Sequence, residues 1–294
     1  MADADTSVLI AQITDTHVGF EPEAGENEFN FLRFRMAVDH LLEQHVQPDI
    51  LILSGDIADK GEAESYERVS GLISKCPFPV HVMTGNHDNR HALLEAFPDC
   101  PTFENARGKR YAQYSLDLGS LRVVCLDTLK HGRHGGALCE ARAEWLAKEL
   151  AAHPQTPTLI VMHHPPVVSG IDWMDPRPNE AWLARFAAAI EGHAQVVAIA
   201  CGHLHRSVAA QFEDTPVCIT PAVAPAVSLD LRPVNFSKAD GRGIVDAEPP
   251  GYALHRWKGG KLVTHFQPVG DWTRLATFED HLVPMMEALR AEKS

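Results

Sequence analysis

The sequence has 294 residues, of which 45% are hydrophobic and 22% are charged. These proportions are ordinary for a soluble globular chain with a sizeable core, and they exclude a disordered tail, a collagen-like repeat and a coiled coil. The 26 Lys and Arg residues stand against 39 Asp and Glu residues, which gives a formal net charge of −13. This balance argues against a general nucleic-acid binder and, unless the 17 His residues gather around a metal, against a phosphate ligand.

Short aliphatic runs bounded by turn residues alternate with amphipathic stretches through the first two thirds of the chain. The runs predict buried strands at Val8–Ile13, Ile50–Leu53, Val80–Met83, Val123–Leu126, Leu159–Met162 and Val196–Ala200. Apolar side chains at three- and four-residue steps predict helices between them, at residues 31–42, Glu62–Ser74, Ala141–Ala152 and Asn179–Glu191. This alternation is typical of an α/β architecture.

The pattern changes after about residue 205. Strands with tight turns are predicted at Val208–Phe212, Val217–Thr220, Tyr252–Trp257 and Leu262–Phe266. The interval from Pro221 to Pro250 is rich in Pro and Asp and predicts irregular structure, and a last helix is expected from Phe278 to about Glu292.

Targeting signals and cysteine spacing bear on the compartment. The N-terminus carries acids where a signal peptide would be positive, and no apolar stretch approaches the roughly 20 residues of a membrane span. The six cysteines contain no C-x-x-C pair, and Cys125 and Cys201 lie in aliphatic runs typical of buried, reduced thiols. We therefore expect a cytoplasmic protein without a membrane span.

Polar residues follow five of the predicted strands almost one for one. They are Thr14-Asp15-Thr16-His17, Ser54-Gly55-Asp56, Thr84-Gly85-Asn86-His87-Asp88, His163-His164-Pro165-Pro166 and Cys201-Gly202-His203-Leu204-His205. Taken singly, each motif is more often a turn, a helix cap or a strand end than a site. Ligands of open α/β sheets bind outside the carboxyl ends of the strands, so the five loops together predict one crevice. The i, i+2 pairs Asp15/His17 and His203/His205 place both side chains of a pair on one face of an extended segment.

Over residues 8 to 210 the chain resembles the calcineurin-like metallophosphoesterases, whose motifs D-x-H, G-D, G-N-H-[DE], H and G-H-x-H occur here in that order. The extended motifs around Asp56 and His163 resemble those of the branch that holds class III cyclic-nucleotide phosphodiesterases and glycerophosphodiesterases. The resemblance implies a four-layer α/β/β/α sandwich of two mixed sheets, with a dinuclear metal site at the carboxyl ends of the strands. Residues 1–210 would form the catalytic core. Residues 211–294 would add second-sheet strands and a C-terminal cap or oligomerisation segment of the same domain.

The resemblance also implies two metal-ligand sets that share one bridging carboxylate. One set is Asp15, His17, Asp56 and His205, and the other is Asp56, Asn86, His163 and His203. A donor set of imidazole, carboxylate and amide oxygen without thiolate suits two divalent ions such as Mn, Fe, Zn or Co. The expected reaction is hydrolysis of small or cyclic phosphodiesters by a metal-bridging hydroxide.

Further site residues have alternative interpretations. With Asp56 and Asn86 as metal-binding catalytic residues, His87 would donate a proton to the leaving alkoxide or bind a phosphate oxygen. Asp88 would support a His ligand or cap a helix from Asn89. His164 would contact substrate or pack beneath the bend at Pro165-Pro166.

The residues that would choose the substrate give a weaker signal. Phe20 and Trp173 are candidate apolar walls for a second ester arm, although Trp173 is more typical of core. Loop residues Arg90, His131, Arg133 and His134 would reach phosphate or lie in solvent. Alternative functions are a phosphomonoesterase on the same site or a non-catalytic binding scaffold. We expect a small phosphodiester as partner, no polymeric nucleic acid, and a homo-oligomer (dimer or higher).

Overall fold

The computed structural model describes residues 7–292 of the chain. Its strands, numbered in chain order, are β1 (Val8–Ile13), β2 (Ile50–Ser54), β3 (Val80–Met83), β4 (Phe103–Glu104), β5 (Arg110–Tyr111), β6 (Tyr114–Asp117), β7 (Arg122–Leu126), β8 (Thr158–Met162), β9 (Val196–Cys201), β10 (Val208–Phe212), β11 (Thr215–Ile219), β12 (Ala226–Val227), β13 (Val245–Asp246), β14 (Gly251–Lys258) and β15 (Lys261–Pro268). Its α-helices are α1 (Phe29–Leu42), α2 (Ala63–Ile73), α3 (Arg90–Ala96), α4 (Glu140–Ala152), α5 (Ala181–Ile190) and α6 (Val283–Ala291).

Two mixed sheets form the centre of the molecule. Sheet I has the strand order β15-β14-β1-β2-β3, and sheet II has the order β10-β11-β9-β8-β7-β6. Strands β1, β2 and β3 are parallel to one another, as are β7, β8 and β9. The antiparallel partners lie towards the edges: β14 and β15 in sheet I, β6 and β10 in sheet II.

The strands after residue 210, where second-sheet strands were expected, divide between the two sheets. Strand β11 pairs with β9 in sheet II, but β14 pairs antiparallel with β1, with Val8 opposite Trp257. The physical reason is that a buried β1 needs hydrogen-bonding partners on both edges, and β2 occupies only one of them.

Alternating side chains separate the four layers. On β1 and β2, Ile10 and Ile52 pack between the sheets, whereas Ala11 and Leu51 face the cluster that contains α1 and α2. On sheet II the outward residues, such as Ile160, join the cluster that contains α4 and α5. Because successive residues of a strand point to opposite faces, one strand serves two cores. The predicted α/β/β/α sandwich is confirmed.

A buried polar network joins the two sheets at the end where the motif loops emerge. Gln12 of β1 is 0% exposed, and its side-chain Nε2 donates to the Cys201 carbonyl of β9 at 3.2 Å and to Ser54 Oγ at 2.7 Å. Its Oε1 accepts from Thr220 Oγ1 at 2.7 Å and lies 2.9 Å from His255 Nε2. Buried polar groups that are satisfied in this way fix a unique geometry between the layers.

The last 20 described residues lie outside this sandwich. Helix α6 falls within the predicted span from Phe278, and none of its residues is buried. The interval 221–250 is irregular apart from the two-residue pair β12–β13. Among residues 7–292, none of the helices combines the length and apolar composition that a membrane crossing requires.

Candidate metal centre

The loops after five strands carry all seven predicted ligands, and all of them except Asn86 offer donor atoms to clusters that could hold a metal. Asp15, Asp56 and Asn86 follow β1, β2 and β3 of sheet I, and His163 and His203 follow β8 and β9 of sheet II. His17 and His205 lie two residues beyond the first ligand of their own loops. The predicted crevice therefore lies where the loops that follow the strands of the two sheets meet.

Backbone strain is concentrated at these residues. In residues 7–292, six non-glycine residues have positive φ, and five of the six are predicted ligands: Asp15, His17, Asp56, His203 and His205. A positive φ is unfavourable for residues with a Cβ and persists only where the surrounding structure imposes it. Strain of this kind is typical of a functional site.

Two glycines let the ligand loops approach closely. A Cβ on Gly85 would lie 2.2 Å from Asp56 Oδ1, and a Cβ on Gly202 would lie 2.1 Å from Thr14 Oγ1 and 2.7 Å from Asp15 Oδ2. Each glycine directly precedes a ligand, Asn86 or His203. The glycine in the motif is thus required by the contact between neighbouring loops.

The donor atoms lie close enough to share a cation. His163 Nε2 is 3.2 Å from Asp56 Oδ2, and His205 Nε2 is 3.3 Å from Asp15 Oδ1. His17 Nε2 lies 3.6 Å from the same Asp56 Oδ2, so this oxygen lies between imidazoles of the two sheets. The groups Asp15/His17/His205 and Asp15/Asp56/His163 each offer donor atoms within 4.8 Å of one another.

The far ring nitrogen of three imidazoles is held by an oxygen. The Nδ1 atoms of His17, His163 and His205 lie 3.1 Å from Asp59 Oδ1, 3.0 Å from the Ser54 carbonyl and 2.7 Å from the Pro225 carbonyl. An Nδ1 that donates to oxygen leaves the Nε2 lone pair free to bind a metal, and such partners orient metal-binding histidines.

Orphaned buried atoms test whether the residues fit a metal. Asp15 Oδ1, Asn86 Oδ1 and His163 Nε2 are buried and make no contact with hydrogen-bond geometry, although the first and third have the ionic neighbours named above. Leaving a buried polar atom unpaired costs about 1–3 kcal/mol, so three such atoms in one crevice need a common partner. A divalent cation satisfies carboxylate, amide and imidazole donors together, and the donor set therefore fits a metal.

The charges of the crevice are tightly linked. Burial raises the pKa of Asp56, but the His163 and His17 imidazoles outweigh it and hold that pKa well below its usual range. Burial lowers the pKa of His163, but Asp56 and Asp15 outweigh it and raise that pKa to about 9. The carboxylates are therefore ionised at neutral pH and attract positive charge into the crevice.

His87 stands at the rim of the centre. Its Nδ1 lies 2.8 Å from the Asp59 carbonyl, and its ring meets the His17 ring edge to face with centroids 4.5 Å apart. Its backbone N donates to Asp56 Oδ1 at 2.7 Å. One nitrogen is thus held by the backbone, while the exposed ring borders the pocket described below.

Of the two alternatives for His164, substrate contact or packing inside the fold, its contacts match packing. Both its ring nitrogens are engaged, with Thr128 Oγ1 at 2.7 Å from Nδ1 and the His134 carbonyl at 3.1 Å from Nε2. Burial and the nearby His163 lower its pKa to about 3. A neutral, fully hydrogen-bonded side chain has no donor left for a substrate.

Neither alternative for Asp88 describes its contacts. Its carboxylate accepts from the backbone N of Gly85, Ala58 and Ile57 and from the Tyr66 hydroxyl, at 2.8 to 3.3 Å. Helix α3 is capped by Asn89. Both interpretations were wrong because Asp88 is buried between two ligand loops, which it fastens together.

An apolar pocket of about 340 Å³ opens beside His17, His87 and His205. Its walls include Phe20, Phe29, Pro225 and Val245, and Phe20 is 61% exposed.

The loop that carries Phe20 is held from inside the molecule. The buried Glu28 carboxylate accepts from the backbone N of Gly19 and of Phe20, both at 2.8 Å. The predicted apolar wall at Phe20 therefore adjoins the metal donors.

The other loop candidates separate into two groups. The His134 ring lies tilted against the His203 ring with centroids 4.7 Å apart, and the Trp173 ring lies 6.4 Å from that of His134. Arg90 is instead directed inwards, to the Asp127 carboxylate. Asp59, the partner of His17, was not predicted from the sequence; its position three residues after Asp56 in the same loop was the available signal.

Comparisons with known proteins agree with this geometry. A family model for the calcineurin-like phosphoesterases matches residues 8–207. A probable glycerophosphodiester phosphodiesterase of Arcobacter nitrofigilis is 29% identical over 265 residues, which cover 90% of this chain and 94% of that protein. A probable cyclic nucleotide phosphodiesterase of Rhodopseudomonas palustris is 30% identical over 240 residues, covering 79% and 82%.

A solved structure gives a match of fold. A purple acid phosphatase from yellow lupin, Lupinus luteus, matches 90% of this chain with a TM-score of 0.60 at 16% identity. The chain spans about half of that phosphatase, 53% of its length, and the similarity concerns the fold alone.

Proposed function

Because the chain belongs to the calcineurin-like phosphoesterase family, we propose that it is a metal-dependent phosphodiesterase acting on small phosphodiesters, either cyclic nucleotides or glycerophosphodiesters. The names of the relatives from Arcobacter nitrofigilis and Rhodopseudomonas palustris support these two substrate classes. Both are diesters in which one phosphate carries two alcohol arms.

The observation that carries the choice of a diester is the apolar pocket directly beside the metal donors. A phosphodiester places its phosphate at the donors and needs room for a second arm. The walls formed by Phe20, Phe29 and Val245 provide that room, and no Lys or Arg is among the residues that line the pocket within the described chain. The lining also holds two carboxylates, Glu21 and Asp59, which suit the single negative charge of a diester better than the dianion of a monoester.

Two divalent ions per chain would be held by the seven converging residues. We assign Asp15, His17, Asp56 and His205 to one ion and Asp56, Asn86, His163 and His203 to the other. When bound, such ions acidify an attacking water and neutralise charge on the phosphoryl group. Mn, Fe, Zn and Co all suit this donor set.

Three residues of the chain bind metal, donate a proton and orient a ligand. Asn86 presents its orphaned Oδ1 as a neutral ligand, which leaves the site open to an anionic substrate. His87 is the proton donor to the leaving alkoxide, since its Nδ1 is fixed on the Asp59 carbonyl and its ring borders the pocket. Asp59 orients His17 through Nδ1.

The deciding experiment compares a bis-aryl phosphate with the matching aryl monophosphate on the metal-loaded enzyme. We expect a higher kcat/KM for the diester. Faster turnover of the monoester would favour the phosphomonoesterase alternative. Two bound metal equivalents without hydrolysis of either ester would favour the non-catalytic scaffold.

We also propose a cytoplasmic homo-oligomer. All six cysteines are free thiols, in keeping with a reducing compartment. The C-terminal segment exposes Trp272, Leu275, Phe278, Met285 and Met286, the kind of apolar surface that a second copy covers. Light scattering of the full chain at micromolar concentration tests this proposal, and a monomer mass would contradict it.

A further inference from the structure

A second concave surface, distinct from the metal centre, carries an excess of positive charge. We call it the basic cavity and define it by Lys109, Lys130, Arg133, Arg177 and Arg185, which line a volume of about 890 Å³. These residues come from four separate segments: the turn before β5, the loop after β7, the loop before α5, and α5 itself. The fold therefore gathers cations that the sequence keeps apart, in a chain whose net charge is −13.

Within the described chain, the five cations have no carboxylate partners. Among residues 7–292 none of the five forms an ion pair, and Arg185 donates only to the Leu138 carbonyl, at 3.3 Å. Glu180 is the one carboxylate among the described lining residues. Its oxygens already accept from the Arg177 backbone N at 3.1 Å and from Trp182 Nε1 at 3.0 Å.

The floor of the cavity adds further positive charge. Arg90 and Arg142 lie against the Tyr111 ring, with guanidinium carbons 5.0 and 4.9 Å from its centroid, and Lys109 Nζ lies at 5.3 Å. The two arginines share the single buried carboxylate of Asp127. One positive charge of this pair thus remains without a counter-charge beneath the cavity.

We propose that the basic cavity binds a small polyanion that carries two or more phosphate groups. Arginine guanidinium groups match phosphate oxygens in geometry and charge. Several unpaired cations from four segments around one cavity match a ligand with several negative charges better than a single phosphate. The volume is in the range of small-molecule sites.

The aromatic residues argue for this ligand and against single-stranded nucleic acid. Binding of single strands relies on exposed rings on which bases stack. Tyr111 and Trp182, the two large aromatic rings of the cavity, are each only 4% exposed, and the exposed ring in its described lining is the His131 imidazole. The surface therefore offers many cations but no row of rings on which successive bases could stack.

The proposal is independent of the proposed function. The segment 130–136 separates the two sites: Lys130 and Arg133 line the basic cavity, whereas the ring of His134, next in the chain, lies 4.7 Å from the ring of His203 at the proposed metal centre. None of the predicted metal ligands lines the cavity.

Cys139 supplies a readout that does not depend on catalysis, because it lines the same cavity. Its Sγ lies 3.4 Å from Arg142 Nε. The rate of Cys139 alkylation by iodoacetamide, followed by peptide mass, should fall when tripolyphosphate occupies the cavity. Titration of the full-length metal-loaded chain gives a Kd, and a second titration on chelator-treated chain separates the cavity from the metal centre.

The test variant is Lys130→Glu/Arg133→Glu. The matched control is Arg35→Glu/Lys75→Glu, which makes the same charge change at another groove. We expect tripolyphosphate to bind the wild-type and control chains alike, and the test variant at least about tenfold more weakly. Equal Kd values in the two variants, or no protection of Cys139, would overturn the proposal. Tighter, competing binding of a single-stranded oligonucleotide would replace it with a nucleic-acid site.

Discussion

The Nε2 atoms of His17 and His205 lie 3.2 Å apart, although the two residues extend from different sheets. Each Nδ1 faces an oxygen, on Asp59 for His17 and on Pro225 for His205. With the Nδ1 atoms protonated, two lone pairs face each other across this gap. A cation between them would remove the repulsion, in keeping with the proposed metal centre.

The Asp59→Ala variant tests how the first of these rings is oriented. Removing the carboxylate frees the His17 ring to rotate, and metal affinity should fall about 10–100-fold. Equilibrium dialysis against a metal-buffered solution measures the affinity. The matched control is Asp39→Ala on the exposed face of α1, which should bind metal like the wild type. Unchanged affinity in Asp59→Ala would remove the proposed role of Asp59.

Asn86→Ala and His87→Ala should separate metal binding from proton transfer. We expect Asn86→Ala to lose one of two metal equivalents and most turnover, because the amide oxygen is a proposed ligand. His87→Ala should retain both equivalents and lose about 10²–10⁴-fold in kcat, the usual range for a general acid.

Metal analysis of the purified variants, together with kcat, measures both effects. The control is Asn89→Ala, which removes the cap of α3 from the same loop and should cost about 1 kcal/mol in stability while the metals stay bound. Full activity of Asn86→Ala at limiting metal would contradict the assignment.

Gly85→Ala should disrupt the centre without changing a ligand. The new Cβ would lie 2.2 Å from Asp56 Oδ1 and 2.3 Å from the Asp56 backbone N, so the Asp56 carboxylate, which is the proposed bridging ligand, must move. We expect at least about a tenfold loss of metal affinity, since metal sites tolerate little displacement of their ligands. Gly71→Ala is the control. It has open space in α2 and should raise stability by up to about 1 kcal/mol. Equal metal affinity in both variants would show that the loops can separate.

Phe20→Ser should change the choice of substrate and leave the fold intact. Phe20 is largely exposed, so its loss should hardly change stability, but a diester with two aryl arms should lose about tenfold in kcat/KM through lost apolar contact. A diester whose second arm is methyl should be affected little. Phe236→Ser, at a phenylalanine that is 79% exposed and does not line this pocket, is the control. An equal loss for both diesters would place the second arm elsewhere.

Buried His255 predicts a pH dependence of stability. Burial lowers its pKa to about 4, whereas an unfolded chain takes up the proton near pH 6.5. Between these values the unfolded state binds more protons, so the free energy of unfolding falls as the pH falls. The loss should reach about 3 kcal/mol at pH 4 and then level off.

Denaturant unfolding at several pH values tests this in the His255→Gln variant, compared with the wild type. The variant should lack this part of the pH dependence, although its stability at pH 7 changes through the contacts to Gln12 and Thr264. His265→Gln, on the exposed face of β15, should follow the wild type. Parallel pH profiles of all three chains would exclude His255 as the source.

The strand ends could be predicted from the sequence because their signal is local. An aliphatic run such as Val80–Met83, followed by a Gly and a residue that can bind a metal, defines both the strand and the loop after it. The pairing of strands that are distant in the sequence could not be predicted in this way. Strand β14 lies beside β1 although Val8 and Trp257 are almost the whole chain apart, and aliphatic patterning specifies a strand but not its neighbour.

Polar partners inside the fold were also beyond local reasoning. Arg90 looks like a solvent residue in the sequence, but it meets Asp127, which is 37 positions away. The same limit explains His164, whose Thr128 partner comes from another strand end, and the basic cavity, whose cations lie on four segments. Residue type predicts which groups need partners, and only the fold chooses them.

The division of ligands between the sheets has a consequence for assembly of the native state. On the proposed assignment, one ion takes His205 from sheet II and its other ligands from sheet I. The second ion takes Asp56 and Asn86 from sheet I, and His163 and His203 from sheet II. Each ion would then be a removable cross-link between the two sheets. Metal uptake should therefore be cooperative and occur late in folding, after the two sheets have packed together.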